Sequence, residues 1–350
     1  MSLYERARPL LFRLPPEFAH SLVHGGMSVA ERTPLPSLLR RAFAVEDDRL
    51  TVEAFGQTFP NPVGVAAGFD KNATAPGTLR GLGFGHTEVG GVTAEPQDGN
   101  PRPRLFRLVE DEGLINRMGL NNEGADAVGA RLATTDAGYP VGVNLAKSET
   151  TPTEDAPADY RYTYDRVAEG GDFFVVNVSC PNSEGFRDLQ NRDTLEGILD
   201  ELVEAGAAPL LVKLSPDLPD PAVEETLELV DDYDLDGVIA TNTSTDRPDS
   251  LASPSRVEAG GLSGKPIEST ATEMVRFVAS RTDVPVVGVG GVFTAADAYR
   301  KIRAGATLVQ LYTGFVYRGP TVARDINRGL VTLLERDGFD SVEDAVGVDL

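Results

Sequence analysis

Polar and reactive side chains recur at the ends of short apolar segments along this chain. These segments deliver a lysine in AAGFDK (66–71), Asn144, a cysteine in NVSC (177–180), Lys213 and an Asn-Thr pair at 242–243. Amide side chains supply both donors and acceptors along the edge of a flat heterocycle, and a lysine pairs with a carboxylate or with developing negative charge. A free cysteine titrates close enough to neutrality to act as a base. We therefore expect an enzyme site for a polar ring compound.

Eight apolar segments rich in β-branched residues would have to position these groups. Their near-continuous hydrophobicity indicates strands buried on both faces, and each is followed by enough chain for a helix. Strict alternation eight times over predicts an α/β fold, a (β/α)8 TIM barrel. An open doubly wound sheet is disfavoured because no G-x-G-x-x-G opens a first helix and because polar residues end every strand. The predicted strands are 63–68, 87–93, 141–146, 173–179, 209–215, 237–243, 284–291 and 307–314.

Amphipathic segments and two insertions fill the gaps between these strands. Residues 94–140 predict a hairpin around the turn at 110–113, and residues 244–270 predict a loop. Both insertions follow strand ends, so both should cover the mouth where barrel enzymes build their sites. The predicted helices are 194–205, 221–231 and 270–280.

The N-terminal part is predicted to precede the barrel. Residues 1–45 form a small helical extension with Pro16 at a helix start, and residues 46–350 form the barrel. Residues 50–59 predict a further hairpin around Gly56.

Glycines after the last two strands point to a phosphate. GVGG (288–291) and LYTG (311–314) lie where barrels commonly bind one phosphate through backbone N–H groups. Ordinary tight turns explain such glycines equally well when they are taken alone. A single phosphate position without a dinucleotide fingerprint indicates a mononucleotide.

Composition excludes several classes of function. The formal charge of −22, from 54 acidic and 32 basic residues, repels nucleic acid and favours solubility in high salt. The single cysteine cannot form an internal disulfide, which predicts a cytoplasmic compartment. The three histidines lie in distant segments without the spacing of metal ligands, so we predict no metal site. No apolar segment is long enough to span a bilayer, although a helix lying on its surface is compatible with the sequence.

Eight motifs in order closely resemble the dihydroorotate dehydrogenase family. They are AAGFDK (66–71), GLINRMGLNN (113–122), NVSCPN (177–182), VKLSPDL (212–218), ATNT (240–243), GGLSGKP (260–266), GVGG (288–291) and LVQLYTGFVYRGP (308–320). The resemblance extends over about residues 1–330. It implies a barrel that holds FMN and oxidises dihydroorotate to orotate in pyrimidine (UMP) biosynthesis.

The resemblance also implies the contacts. Lys71 would pair with the substrate carboxylate, and Lys213 would stabilise negative charge at the flavin's N1 and O2 edge. The implied FMN contacts are Ala67, Gly68, Gly91, Asn144, Asn177, Lys213, Thr241, Gly264, Gly291, Tyr312 and Thr313. The implied substrate contacts are Lys71, Asn116, Arg117, Met118, Gly119, Leu120, Asn177, Asn182, Asn242 and Thr243.

Cys180 is the predicted catalytic base. Oxidation of dihydroorotate removes a proton from C5 and a hydride from C6, so a base must face the ring opposite the flavin. Outside this motif, a single intracellular cysteine is ordinarily a small buried hydrophobic residue.

Two signals disagree about the electron acceptor. Members of the family that reduce quinones usually carry serine at the base position, and soluble members carry cysteine. The N-terminal segment resembles the helical element of the quinone class, and His20, Arg107 and Tyr312 match positions that line its quinone passage. We predict the quinone class, with peripheral attachment to the cytoplasmic side of the membrane, because a whole extension is harder to gain than one Ser/Cys exchange.

Two departures from the family and two alternatives complete the prediction. Gly91 stands where Thr or Ser usually contacts the flavin, so its contact would be through the backbone, and Leu120 replaces a frequent aromatic residue. The first alternative is a soluble enzyme linked to fumarate, or to NAD through a separate iron–sulfur subunit, since one cysteine cannot hold a cluster. The second is a barrel that binds a nucleotide without catalysis.

Overall fold

A closed barrel of eight parallel strands is the centre of the computed structural model, which describes residues 3–179 and 191–350. The strands of the described residues are β1 (Val52–Ala54), β2 (Gln57–Phe59), β3 (Val63–Val65), β4 (His86–Val92), β5 (Leu105–Leu108), β6 (Gly113–Asn116), β7 (Val141–Leu145), β8 (Phe173–Asn177), β9 (Leu210–Leu214), β10 (Gly237–Ala240), β11 (Gly261–Gly264), β12 (Val286–Val289) and β13 (Ala306–Leu311). The barrel follows the chain through β3, β4, β7, β8, β9, β10, β12 and β13, and β13 pairs with β3 to close it. The predicted TIM barrel is confirmed.

All eight predicted strands are present, although most end a few residues earlier than predicted. Every residue of β4, β7, β8, β9 and β10 is buried, as expected for parallel strands covered on both faces. The residues that follow each strand bend over the barrel mouth instead of continuing the ladder. These terminal residues therefore become available to bind a ligand.

Helices follow the barrel strands and form the outer layer. The three helices predicted in the second half of the chain are confirmed, with every end within two residues of its predicted position. The helices of the described residues are α1 (Leu3–Leu11), α2 (Pro16–Glu31), α3 (Leu35–Phe43), α4 (Pro76–Gly81), α5 (Ala125–Leu132), α6 (Ala156–Val167), α7 (Arg192–Glu204), α8 (Asp220–Asp232), α9 (Glu268–Ala279), α10 (Ala295–Arg303), α11 (Thr313–Arg318) and α12 (Val322–Asp337).

The predicted hairpins are confirmed, but the predicted loop at 244–270 is wrong in part. β1 pairs with β2, and β5 pairs with β6. Gly261–Gly264 forms β11, which pairs antiparallel with β6 and extends the hairpin to three strands. The free edge of β6 offers unpaired backbone groups that β11 satisfies, and the glycines flanking its Leu262 hide the strand in the sequence.

Three helices at the N-terminus pack against one side of the barrel mouth. Pro16 begins α2, as predicted. Glu31 accepts hydrogen bonds from the backbone N–H groups of Gly77 and Thr78, and Glu17 pairs with Arg104 of the hairpin region at 2.8 Å. These contacts attach the helices to the elements that carry the site. The division into a helical extension (1–45) and a barrel domain (46–350) stays a prediction.

Candidate active site

A cavity at the carboxyl ends of the barrel strands collects most of the residues singled out in the sequence. We call it the mouth cavity. From the predicted cofactor set it is lined by Ala67, Gly68, Gly91, Asn177, Lys213, Thr241, Gly264, Gly291, Tyr312 and Thr313. From the predicted substrate set it is lined by Lys71, Asn116, Met118, Gly119, Leu120, Asn177, Asn242 and Thr243.

Two predicted residues within the described ranges do not line this cavity, and two more cannot be placed relative to it. Asn144 is fully buried and does not line the cavity. Arg117 points away, since its guanidinium pairs with Glu258 at 2.9 Å and stacks on Phe106. Cys180 and Asn182 lie outside the described residues.

At one end of the mouth cavity, backbone segments approach each other closely. Gly264 (φ +96°) and Gly291 (φ +73°) adopt conformations that favour glycine, and a Cβ on Gly291 would lie 2.5 Å from the Cα of Glu268. Nearby, the hydroxyls of Ser263 and Thr313 lie 2.9 Å apart. Glycine backbone and hydroxyls, with no carboxylate among the described lining residues, suit a phosphate. This end of the cavity therefore fits the phosphate of a mononucleotide.

The floor of the cavity is a connected polar network. Lys213 of β9 forms a salt bridge with Glu88 of β4 at 3.1 Å, and Glu88 also accepts a hydrogen bond from Asn144 at 2.6 Å. Asn177 donates to Asn144 at 2.8 Å. The network offers one ammonium group and several amides to a ring above it, which fits the edge of a flavin.

Glu88 was not predicted from the sequence. The predicted site residues cluster at strand ends, whereas Glu88 lies within β4 and is fully buried. The available signal was Glu88 itself, the only charged residue in the segment TEVGGV (87–92), because a buried carboxylate requires a partner.

Lys71 is one of the two lysines that line the mouth cavity. Its ammonium donates to the carbonyl of Gly68 at 2.7 Å. Loss of hydration, with a smaller contribution from the charge of Arg104, lowers the pKa of Lys71 to about 8. The lysine is thus charged at neutral pH but close to the point at which it loses its proton.

A second cavity lies between the N-terminal helices and the barrel, and we call it the helix cavity. Its walls are predominantly apolar and include Leu11, Phe12, Ala19, Val23, Met27, Leu39, Phe69 and Phe315. Leu105, Leu114 and Tyr312 line both cavities, so the two spaces share a wall.

The three residues compared with a quinone passage all line the helix cavity. His20 stacks on Tyr312 at a ring separation of 6.3 Å, and Arg107 lies over the ring of Phe12 at 4.5 Å. Burial, assisted by the positive charge of Lys71, holds the pKa of His20 well below its ordinary value, so this imidazole is neutral at pH 7.

The fold and the two cavities define a barrel in which a polar and an apolar space share a wall. A family model described as dihydroorotate dehydrogenase matches residues 49–334. Relatives named "Dihydroorotate dehydrogenase (quinone)" are 68% identical in Haloarcula marismortui and 64% identical in Natronomonas pharaonis, each match covering 100% of both chains. The crystal structure of DHODH from Eimeria tenella in complex with ferulenol aligns with a TM-score of 0.89 and 36% identity, covering 97% of this chain and 98% of that one.

The chain belongs to the dihydroorotate dehydrogenase family. Membership confirms the resemblance seen in the sequence motifs, identifies the chain as an oxidoreductase and implies a flavin cofactor.

Proposed function

We propose that this chain oxidises (S)-dihydroorotate to orotate with bound FMN and passes the electrons to a quinone, in the synthesis of UMP. The observation that carries the proposal is the pair of cavities that share Leu105, Leu114 and Tyr312. A charged pyrimidine requires a polar site, and a lipid-soluble oxidant requires an apolar one. A flavin at the shared wall is accessible from both.

FMN would lie along the mouth cavity with its phosphate at the glycine end. Backbone groups of Gly264 and Gly291, with Thr313, would hold the phosphate, and Ala67, Gly68, Gly91, Thr241 and Tyr312 would surround the rest of the cofactor. Asn144, Asn177 and Lys213 would serve the ring. When bound, FMN supplies a two-electron acceptor for the hydride at C6 of the substrate.

Dihydroorotate would occupy the part of the cavity lined by Lys71 and asparagines. Lys71 would pair with its carboxylate, while Asn116, Asn177 and Asn242 would hold the ring amides, with Asn182 and Thr243 completing the set. Cys180 would remove the C5 proton as general base. Met118, Gly119 and Leu120 would shape the wall that excludes water.

The quinone would enter the helix cavity between α2 and the hairpin of β5 and β6. Apolar walls favour its ring and tail, and Arg107 and neutral His20 offer hydrogen bonds to its oxygens without placing a carboxylate beside them. Arg107 already donates to the carbonyl of Leu14 at 2.8 Å, which holds its guanidinium at the cavity.

The surface of the N-terminal helices supports the proposal of peripheral attachment to a membrane, on its cytoplasmic face. Of the twelve large hydrophobic side chains that are exposed among the described residues, seven lie in residues 1–45: Leu10, Phe18, Leu22, Val23, Val29, Leu35 and Leu38. No helix in the described ranges is both long and apolar enough to cross a membrane. Exposed apolar residues around the entrance of an apolar cavity support contact with a lipid surface.

The distribution of charge along the chain also supports attachment through the N-terminal helices. Residues 1–45 contain six arginines and three glutamates, a formal charge of +3, whereas the remaining chain contains 26 basic and 51 acidic residues, a charge of −25. Anionic lipids attract the first region and repel the second. The helix cavity would therefore face the membrane and the acidic barrel would face water.

Anaerobic mixing experiments test the proposal. The purified protein should contain FMN, dihydroorotate should bleach the flavin absorbance, and a short-chain quinone should restore it faster than fumarate or NAD does. FAD in place of FMN would overturn the cofactor assignment. Faster reoxidation by fumarate would favour the soluble class, and flavin that dihydroorotate does not reduce would favour a binding barrel without catalysis.

A further inference from the structure

Glu88 is a fully buried carboxylate that lies next to the site without lining it. Its Oε1 accepts a hydrogen bond from Asn144 Nδ2 at 2.6 Å, and its two oxygens lie 3.1 and 3.3 Å from Lys213 Nζ. A buried charge is costly, and the free energy of an ion pair seldom exceeds the cost of removing both charges from water. The main consequence of Glu88 is therefore its effect on the neighbouring groups, not a gain in the stability of the fold.

The hydrogen bonds beyond Glu88 all run in one direction. Asn144 donates to Glu88, Asn177 donates to Asn144 at 2.8 Å, and Asn242 donates to Asn177 at 3.4 Å. At the far end, the backbone N–H of Thr243 donates to Asn242 Oδ1 at 2.8 Å.

The groups at the two ends of this chain of amides each have only one possible role in a hydrogen bond. An ionised carboxylate only accepts hydrogen bonds, and a backbone N–H only donates them. An isolated asparagine amide can present either its oxygen or its nitrogen, but the three amides between these ends are forced into one orientation. Glu88 orients the Asn144 amide directly, whereas Asn177 also accepts a hydrogen bond from the backbone N–H of Ser179 at 3.3 Å.

Glu88 also sets the charge beneath the cavity. Lys213 alone would place a full positive charge there, whereas the pair with Glu88 is neutral overall. A positive charge beside a flavin ring stabilises the reduced, anionic form more than the oxidised form. The carboxylate therefore opposes that stabilisation and makes the reduced ring a better electron donor.

We infer that Glu88 is a positioning residue that fixes the orientation of Asn144 and lowers the reduction potential of the flavin through Lys213. The inference rests on the proposed function, because it assumes that a flavin ring lies above Lys213. It assigns no contact between Glu88 and substrate or cofactor.

The reduction potential of the bound flavin tests the charge effect. Glu88→Gln keeps one oxygen for Asn144 but removes the negative charge, and Glu88→Asp keeps the charge on a shorter side chain. At about pH 6, where an ordinary lysine is fully protonated, Glu88→Gln should shift the equilibrium toward reduced flavin at least tenfold, about +30 mV for a two-electron couple. Glu88→Asp should stay nearer the wild-type potential.

Asp159→Asn provides a matched control. Asp159 is also a buried carboxylate, accepting hydrogen bonds from Ser148 N at 2.9 Å and Thr151 Oγ1 at 2.7 Å, but it does not line the mouth cavity. Its variant should leave the potential unchanged. Equal shifts in all three variants, or a wild-type potential in Glu88→Gln, would overturn the inference.

A double-mutant cycle on flavin-free protein separates this inference from the proposed function. Glu88→Gln and Lys213→Met should each lower the melting temperature, and the double variant should lose much less than the sum because no unpaired charge is left. Additive losses would show that the two residues do not act as a pair. If the pair is coupled but the wild-type protein binds no flavin, the proposed function fails and the potential-tuning role of Glu88 fails with it, while the pairing itself stands.

Discussion

The mouth cavity is lined by two lysines and four asparagines, whereas among the described residues that line the helix cavity Arg107 is the only one that carries a charge at neutral pH. The two spaces nevertheless share Leu105, Leu114 and Tyr312. The polar space is built by strand ends that converge from around the barrel, and the apolar space is built by helices added before it. The fold thus keeps a polar and an apolar cavity separated by the thickness of one side chain. Changes on one side of this wall should leave the chemistry of the other side intact.

Deletion of residues 1–40 should have the largest effect, because it should separate flavin reduction from quinone turnover. The barrel that holds the flavin and Cys180 is retained, but the helices that form the apolar cavity are lost. Flavin reduction by dihydroorotate should survive, and quinone turnover and vesicle binding should fall to background. Retained FMN would verify folding. A folded, truncated protein that still reduces quinones at the full rate would contradict the assignment of the helix cavity.

Cys180→Ala should affect only the polar side. A positioned base contributes roughly 10²–10⁴-fold, so flavin reduction by dihydroorotate should slow by that factor while reoxidation by quinone is unchanged. Cys180→Ser should retain part of the activity, with its optimum at higher pH because a hydroxyl is the weaker acid. Rapid reduction in the alanine variant would assign the base to another residue.

The pH dependence of kcat/KM for dihydroorotate should report Lys71. Burial lowers the pKa of this lysine to about 8 in the free enzyme, so the charge that we propose to pair with the substrate carboxylate is present below that pH and lost above it. We expect kcat/KM to fall about tenfold per pH unit beyond the pKa. Lys71→Arg keeps its charge and should abolish the decline, whatever its absolute rate. A decline that persists in this variant would assign the titration elsewhere.

Ala19→Phe should narrow the apolar side alone. Ala19 lines the helix cavity, and a phenyl ring there should lower kcat/KM for quinone by roughly tenfold without changing flavin reduction. Ser21→Phe, on the exposed face of the same helix, is the matched control and should have little effect. Equal losses in both variants would indicate damage to α2 rather than a filled passage.

Salt should produce the smallest effect, a rise in melting temperature of a few degrees between dilute buffer and molar KCl. The charge of −25 on residues 46–350 repels itself, and the Debye length shrinks from about 30 Å at 0.01 M to about 3 Å at 1 M. A melting temperature independent of salt would remove the prediction of a protein adapted to high salt.

The strands and the cavity were predictable because buried parallel strands have a distinct composition and their carboxyl ends meet at one mouth. The predictions failed where local sequence carries no such signal. Gly261–Gly264 is a strand only because β6 needs a partner, which no local pattern shows. Arg117 was assigned to the substrate as part of a continuous motif, but successive residues at a strand end point to opposite sides, so Asn116 faces the cavity and Arg117 turns outward.

Glu88 illustrates a different limit. Its identity as a buried acid is visible in the sequence, but its partners lie 56 and 125 residues away along the chain, and only closure of the barrel brings them together. The orientation of the asparagine amides is likewise a property of the assembled network. Sequence motifs identify residues that meet a ligand more readily than residues that act through others.

The separation of charge between residues 1–45 and the rest of the chain makes the molecule an electric dipole with its positive pole at the entrance of the helix cavity. In dilute salt an anionic bilayer would rotate the diffusing protein so that residues 1–45 face the lipid. Most collisions would then be productive, and the protein would bind the bilayer fast. In molar salt the field extends only about 3 Å, and the molecule would have to find its orientation by random rotation. Its capture rate should then fall, while its residence time, set by the exposed leucines, valines and phenylalanine, should lengthen because salt strengthens apolar burial.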